Sequence, residues 1–269
     1  MTFSFHKMHG LGNDFIVLDA RKNPIQMNPA LAQALSNRHT GIGCDQLIII
    51  GNGKNQADVS MEIWNADGSE VEACGNATRC VPVFLGRDVI ISTAAGLLDA
   101  RLSDEGACVD MGRPRLSWDE IPLAYAMDTL SMPVAWEDLK EPTAVNMGNP
   151  HVVFVVDDVD AVDFGRLGNM IEHDQLFPER INVNIVMVTG KNHLKMRTWE
   201  RGAGLTRACG TGACATFVAA KRRRLVSGKT QIDLPGGRLV LDENSEGHII
   251  MRGPATYVFK GEADWASFS

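Results

Sequence analysis

Apolar residues fall into short runs along this chain. "FIVLDA", "QLIII", "DVSMEIW", "DVIIST" and "ACVDM" have strand length and β-prone composition, some alternate apolar with polar positions, and Gly, Asn and Asp turn residues bound them. Two stretches read as helices instead. "NPALAQALSNRH" offers Asn28 as a cap and Pro29 at its first position, and "DAVDFGRLGNMIEH" is its counterpart further on. A further helix is predicted to start at each Ala-Cys-Gly, in "GNATRCVPVFL" and "GTGACATFVAAKRRR". Pro82 inside the first of these predicts a short or kinked helix. Strands outnumber helices and lie close enough to pair through hairpins. That favours curled, largely antiparallel sheets around a helix over a doubly wound parallel sheet.

The pattern occurs twice. Met61 and Met196, Trp64 and Trp199, and Cys74 and Cys209 share one offset of 135 positions, and Gly12-Asn13 and Gly148-Asn149 lie 136 apart. "IISTAAGLLDARL" is echoed by "TQIDLPGGRLVLD", and "MGRP" by "MRGP". Similar offsets in one order indicate a tandem duplication. The predicted class is α+β: two structurally similar α/β domains related by pseudo-twofold symmetry, each a curled, mostly antiparallel sheet around a central helix. The halves are placed at 1–120, carrying Cys74, and 121–269, carrying Cys209, with the C-terminal strand free to cross over.

Composition narrows the function. The chain has 269 residues, 45% of them hydrophobic, enough for real cores. A net charge of −7, with "KRRR" at 221–224 as the one basic cluster and best read as a solvated helix end, argues against a nucleic-acid partner. The N-terminus has no apolar signal region, and no apolar run nears the ~18 residues of a membrane span. A cytoplasmic protein is expected. Its six cysteines are then expected as thiols, and the Cys74/Cys80 and Cys209/Cys214 spacings do not suit a structural zinc site.

A cysteine at a helix start sits among unsatisfied N–H groups and about half a positive charge, which lowers a thiol pKa towards neutrality and also holds carboxylates. Gly75 and Gly210 allow close approach of a ligand to the backbone. Two related halves with one such thiol each suggest both sulfurs facing a shared cleft. Stereoinversion at a carbon acid needs two acid/base groups on opposite faces of one carbon, and a thiol can serve as either partner near neutral pH. N–H donors at the helix ends would steady the developing carbanion.

Taken together, "KMHGLGNDFIVLD", "NADGSEVEACGNATRC", "MGNPH", "FPERINVNIV", "ERGAGLTRACGTGACA" and "DLPGGRL" resemble the diaminopimelate epimerase family, in order and over nearly the whole chain. The resemblance implies cofactor-free interconversion of LL- and meso-diaminopimelate in bacterial lysine and cell-wall precursor synthesis, with no metal. It implies Cys74 and Cys209 as the acid/base pair and His151 and Glu200 as residues that tune them. It implies substrate contacts from Asn13, Gln46, Asn65, Asn149, Asn182, Glu200 and Arg201, and from the backbone at Gly75-Asn76 and Gly210-Thr211. Arg201 suits the distal carboxylate, and Glu200 or an amide oxygen the distal ammonium. The expected partners are this small molecule and, at most, a second copy in a homodimer, with no nucleic acid or membrane. His9 is read as structural.

Three features depart from the family's commonest form: Leu205 after "ERGAG", Pro82, and the short link "FLGRD". The rivals are a proline-type racemase of the same fold, a thiol redox or metal protein, and a pyridoxal-phosphate racemase. The combined motif set counts against the first, and the missing Cys-x-x-Cys against the second. Against the third, no phosphate loop stands out beside a Schiff-base lysine.

Overall fold

A computed structural model of the chain describes residues 1–71, 74–94 and 96–268. Glu72 and Ala73 of the first cysteine motif, and Ala95 of the echoed segment, lie outside the described residues. In chain order the elements are β1 (Thr2–Gly10), β2 (Asn13–Asp19), α1 (Pro29–Ser36), β3 (Gln46–Asn52), β4 (Val59–Asn65), β5 (Glu70–Val71), α2 (Gly75–Leu85), β6 (Val89–Thr93), β7 (Gly96–Ser103) and β8 (Gly106–Asp110). A short hairpin follows, β9 (Ala135–Trp136) and β10 (Leu139–Lys140). Then come β11 (Thr143–Asn146), β12 (Pro150–Val155), α3 (Phe164–Glu172), β13 (Asn182–Gly190), β14 (His193–Glu200), β15 (Gly204–Thr206), α4 (Gly210–Arg222), β16 (Thr230–Leu234), β17 (Gly237–Glu243), β18 (Ile249–Gly253) and β19 (Thr256–Asp264).

The chain divides into two compact units, Met1–Val109 with Arg252–Ser269, and Asp110–Met251. The sequence pattern puts the division near residue 120. The residues just past β8 fall in the second unit because they bond there: Met111 N–H donates to Ile249 O (2.9 Å), and Arg115 and Asn146 exchange backbone bonds of 2.9 Å. In the first unit β19 pairs antiparallel with β1 over its whole length.

The two units share one construction. In the first, β1 pairs antiparallel with β2, β2 parallel with β3, β3 antiparallel with β4, β4 parallel with β6, and β6 antiparallel with β7. In the second, β11, β12, β13, β14, β16 and β17 repeat that series with the same directions. Even the register repeats: Leu47 faces Trp64, and Val183 faces Trp199. The parallel pairs, two in each unit, arise where a helix carries the chain across: α1 and α2 in the first, α3 and α4 in the second. A parallel pair needs such a crossover.

Strand alternation then sorts the side chains. In the first unit Ile16, Leu18, Leu47 and Ile49 join Ala32 and Leu35 of α1 in one apolar layer. In the second, Val152, Phe154, Val183 and Ile185 join Phe164, Leu167 and Ile171 of α3. The opposite strand faces receive the cysteine helices: α2 packs on β1 and β7, α4 on β11, β12 and β13. The central strands β2, β3, β12 and β13 are buried on both faces, which explains why their runs are almost continuously apolar.

Local signals mostly hold. Asn28 caps α1, its Oδ1 accepting from Leu31 N–H at 2.9 Å, with Pro29 first in the helix. Pro82 does not end its helix: α2 continues through it to Leu85 and stops at Gly86, which is left-handed (φ 67°) and donates its N–H to Pro82 O. That cap lets the short link reach β6. The "KRRR" cluster is also more than a solvated end. Arg223 donates to Thr143 Oγ1 (2.7 Å) and Leu130 O (3.2 Å), and Arg222 to Thr129 O (3.4 Å), binding the C-terminus of α4 to the 129–143 segment. Among the described residues no helix is long and apolar enough to cross a membrane.

Candidate active site

Each cysteine helix begins with the cysteine itself as N-cap. Cys74 (φ −143°, ψ 110°) precedes α2, and Cys209 (φ −125°, ψ 115°) precedes α4. Ser, Thr, Asp and Asn are the residues that usually cap a helix there. Placing sulfur at both equivalent positions puts each thiol at the positive end of a helix dipole.

Around Cys74, which is half-buried, the polar groups form a directed chain. The fully buried Arg79 guanidinium can only donate, and gives Nη2–H to Asn76 Oδ1 at 2.8 Å. Asn76 Nδ2 donates to Asn13 Oδ1 (3.1 Å), and Asn13 Nδ2 to Asp45 Oδ2 (3.1 Å). The Cys74 sulfur lies 3.9 Å from Asn13 Oδ1. Asp45 is fixed in turn by Arg38 (2.6 Å), which also binds Asp14. Arg38 and Lys7 beside Asp14 hold that carboxyl down at about 2 against the cost of burial. Gln46 and Asn65 face each other across β3 and β4, with Gln46 Nε2 donating to Asn65 Oδ1 at 3.0 Å. Gln46 Oε1 is buried and accepts no hydrogen bond from the described residues.

Cys209 is more enclosed. Its sulfur accepts from Gly212 N–H (3.3 Å) and meets Thr211 Oγ1 at 3.5 Å. Burial first, and the Glu200 carboxylate second, push the Cys209 thiol well above its usual value, opposed by Thr211 and Gly212. The expected lowering by the helix end is therefore reversed here, because desolvation of a thiolate outweighs one N–H and a partial dipole charge. The direction of the shift favours the protonated sulfur at Cys209. Glu200 faces it from the end of β14 and accepts from Thr206 Oγ1 at 2.5 Å.

His151 does not bond to Cys209. It is fully buried, and burial first and Arg201 second lower its pKa to about 3, so the ring is neutral. Its Nε2 pairs with Asn149 Oδ1 (2.9 Å) and its Nδ1 with Asn184 Nδ2 (3.2 Å). Asn182, also buried, gives Nδ2–H to Pro150 O (2.8 Å) and accepts Arg201 N–H (3.0 Å), so it fixes the backbone that carries Arg201. The Arg201 side chain is exposed and donates to Glu179 O at 2.9 Å. Thus the second unit gathers Asn149, His151, Asn182, Glu200, Arg201 and Cys209. The first gathers Asn13, Asn76 and Cys74, with Gln46 and Asn65 as a separate pair.

Sequence reasoning missed four supporting residues. Arg79 anchors the Asn76–Asn13 chain. Asn184 and Thr198 bond beneath α4 (Thr198 Oγ1 to Asn184 Oδ1, 3.0 Å). Buried Glu172 accepts Trp199 Nε1–H (2.6 Å) and Gly202 N–H (2.9 Å), bracing the turn that presents Glu200 and Arg201. The available signals were a polar residue interrupting an apolar β-run for Asn184 and a polar residue at an inward position of an alternating strand for Thr198. Glu172 and Arg79 gave none, since both types are usually solvated.

A sequence profile described as "Diaminopimelate epimerase" matches residues 5–117 and 143–258. The chain is 56% identical to the diaminopimelate epimerase of Rhizorhabdus wittichii over 269 residues, covering 100% of this chain and 98% of that one. It is 41% identical to that of Ectopseudomonas mendocina, with 97% and 99% covered. Solved structures share the fold at low identity. A phenazine biosynthesis protein of the PhzF family from Enterococcus faecalis superposes with a TM-score of 0.70 at 15% identity, covering 98% of this chain and 100% of that one. A hydroxyproline epimerase from Agrobacterium vitis gives 0.68 at 15%, covering 97% and 92%. With matches spanning both units and both cysteine-capped helices, the chain belongs to the diaminopimelate epimerase family.

Proposed function

We propose that the protein is a cofactor-independent isomerase that interconverts LL- and meso-2,6-diaminopimelate, with Cys74 and Cys209 as its two acid/base groups. One observation carries this reading: at equivalent places in two units of the same construction, the helix N-cap is a cysteine followed by glycine. One thiolate removes the α-proton while the other thiol delivers a proton to the opposite face of the same carbon. The raised thiol at Cys209 suits the protonated, proton-delivering role. The roles exchange for the reverse stereoisomer, as microscopic reversibility requires. Backbone N–H groups at Gly75-Asn76 and Gly210-Thr211 receive the carboxylate at the reacting carbon and stabilise charge developing beside it. Glu200 tunes Cys209 directly, and His151 acts through Asn149.

Diaminopimelate carries a second amino-carboxylate, which Arg201 and Glu200 complement with one charge of each sign, while Asn13, Gln46, Asn65, Asn149 and Asn182 supply neutral contacts. On this reading the enzyme works in the cytoplasm as a homodimer, on the route to lysine and peptidoglycan precursors. The test is direct. Purified protein with LL-diaminopimelate and no added cofactor should form the meso isomer, resolved by chiral chromatography. Folded protein that forms none, or that turns over proline as fast, would overturn the assignment.

A further inference from the structure

Asn184 lies fully buried on the face of β13 that meets α4, and its amide has only one orientation consistent with its neighbours. The Val152 carbonyl, an acceptor only, takes one Nδ2 proton at 3.1 Å. The Thr198 hydroxyl donates to Oδ1 at 3.0 Å. Gly212 closes over the same oxygen so tightly that a Cβ there would stand 2.7 Å from it. The second Nδ2 proton is therefore directed at His151 Nδ1, 3.2 Å away.

A nitrogen that receives a hydrogen bond carries a lone pair. The neutral ring of His151 then holds its proton on Nε2 and donates it to Asn149 Oδ1 at 2.9 Å. With its oxygen turned to His151, the half-buried Asn149 has its NH₂ directed away from the ring. Rotating that amide would set N–H against N–H. The related asparagine of the first unit is arranged differently: Asn13 already gives its NH₂ to the Asp45 carboxylate.

We infer that Asn184 is a positioning residue that locks His151 in the Nε2–H form and so makes Asn149 a hydrogen-bond donor, fitted to a carboxylate oxygen of the substrate and not to an ammonium. This inference rests on the proposed epimerase reading for the identity of the ligand, while the histidine tautomer is independent of it.

The experiment is long-range ¹H–¹⁵N correlation on ¹⁵N-histidine-labelled, substrate-free protein, with His151 assigned by its disappearance in His151→Gln. The expected spectrum shows a bare Nδ1 and a protonated Nε2, unchanged between pH 5 and pH 8. An Nδ1–H ring or an imidazolium overturns the inference. Asn184→Asp replaces the donor with an acceptor, so Nδ1 should gain the proton and kcat/KM should fall on the order of 10- to 100-fold. Lost activity with the tautomer unchanged would refute the positioning role. Asn149→Asp keeps an acceptor for His151 but turns a second acceptor towards the substrate. Its KM for diaminopimelate should rise about 10-fold or more with the tautomer intact. An equal or lower KM would mean that Asn149 meets an ammonium, contrary to the inference. A wild-type Nε2–H ring in a protein inactive on diaminopimelate would refute the proposed reaction and leave the tautomer assignment standing.

Discussion

Gly212→Ala probes the packing that joins the Cys209 helix to the sheet beneath it. A Cβ at this position would stand 2.7 Å from Asn184 Oδ1 and 3.2 Å from both Cys209 Sγ and Thr198 Oγ1. None of these atoms can move freely. Asn184 is tied at three points, and the sulfur accepts the Gly212 N–H itself. Overpacking a tight core costs about 1–3 kcal/mol, and loosening one buried hydrogen bond adds about 1–3 kcal/mol. The helix-propensity gain of alanine over glycine returns about 1 kcal/mol. The net is a loss of about 1–5 kcal/mol, or roughly 2–20 °C in melting temperature for a chain of this size. Displacement of Cys209 should also lower kcat/KM by at least about 10-fold. Gly165→Ala, in α3, is the control. Its Cβ would have only Leu205 Cδ1, 3.9 Å away, for a neighbour. It should be neutral or gain up to about 1 kcal/mol. Thermal unfolding and steady-state kinetics on both variants decide the matter. Gly212→Ala with wild-type melting and turnover would refute the reasoning.

Three further outcomes are expected. In substrate-free protein near pH 7.5, iodoacetamide should modify half-buried Cys74 at least about 10-fold faster than Cys209, which is buried and held as a thiol. Glu200→Gln should speed labelling of Cys209, as read by peptide mass spectrometry, and Cys209 reacting first would count against the raised thiol. The folded pKa of His151, about 3, lies below its ordinary value near 6.5. Its contribution to stability is therefore complete above about pH 6.5 and is lost as pH falls from there towards 3, by up to about 1.4 kcal/mol per unit. Urea unfolding of His151→Gln should show a flatter dependence between pH 4.5 and 6.5, and an unchanged slope would contradict a buried neutral ring. Arg201→Lys should reduce kcat/KM about 10- to 100-fold on diaminopimelate, because an ammonium cannot reproduce a two-pronged guanidinium grip. Kinetics with alanine as substrate should show little activity for either form.

The duplication was legible because each unit must rebuild the same strand order around its own helix, and that leaves Met, Trp, Cys and Gly-Asn at constant offsets. The helix starts were legible for a similar reason, since Asn28-Pro29 and the two Cys-Gly pairs are local signals. What escaped depends on desolvation and long-range contact. Nothing local reveals that Cys209 is buried facing Glu200, which reverses the direction of its thiol shift. The polar residues under α4 could be noticed as oddities in β13 and β14, but their bonding partners lie on other strands, His151 and Val152 on β12 among them. The helix was legible past Pro82 to Leu85, while the proline taken alone argued for a short or kinked one. The helix end is set instead by Gly86, whose left-handed backbone and bond to Pro82 O close the last turn.

The most direct test of the two-thiol reaction is the fate of the α-proton in heavy water at early conversion of LL-diaminopimelate. With separate donor and acceptor thiols, the meso product should carry deuterium at the inverted carbon from the first turnovers, while recovered LL substrate remains protiated. Deuterium entering the recovered substrate as fast as the product, or a product that keeps its original proton, would contradict a reaction run by Cys74 and Cys209 on opposite faces of one carbon.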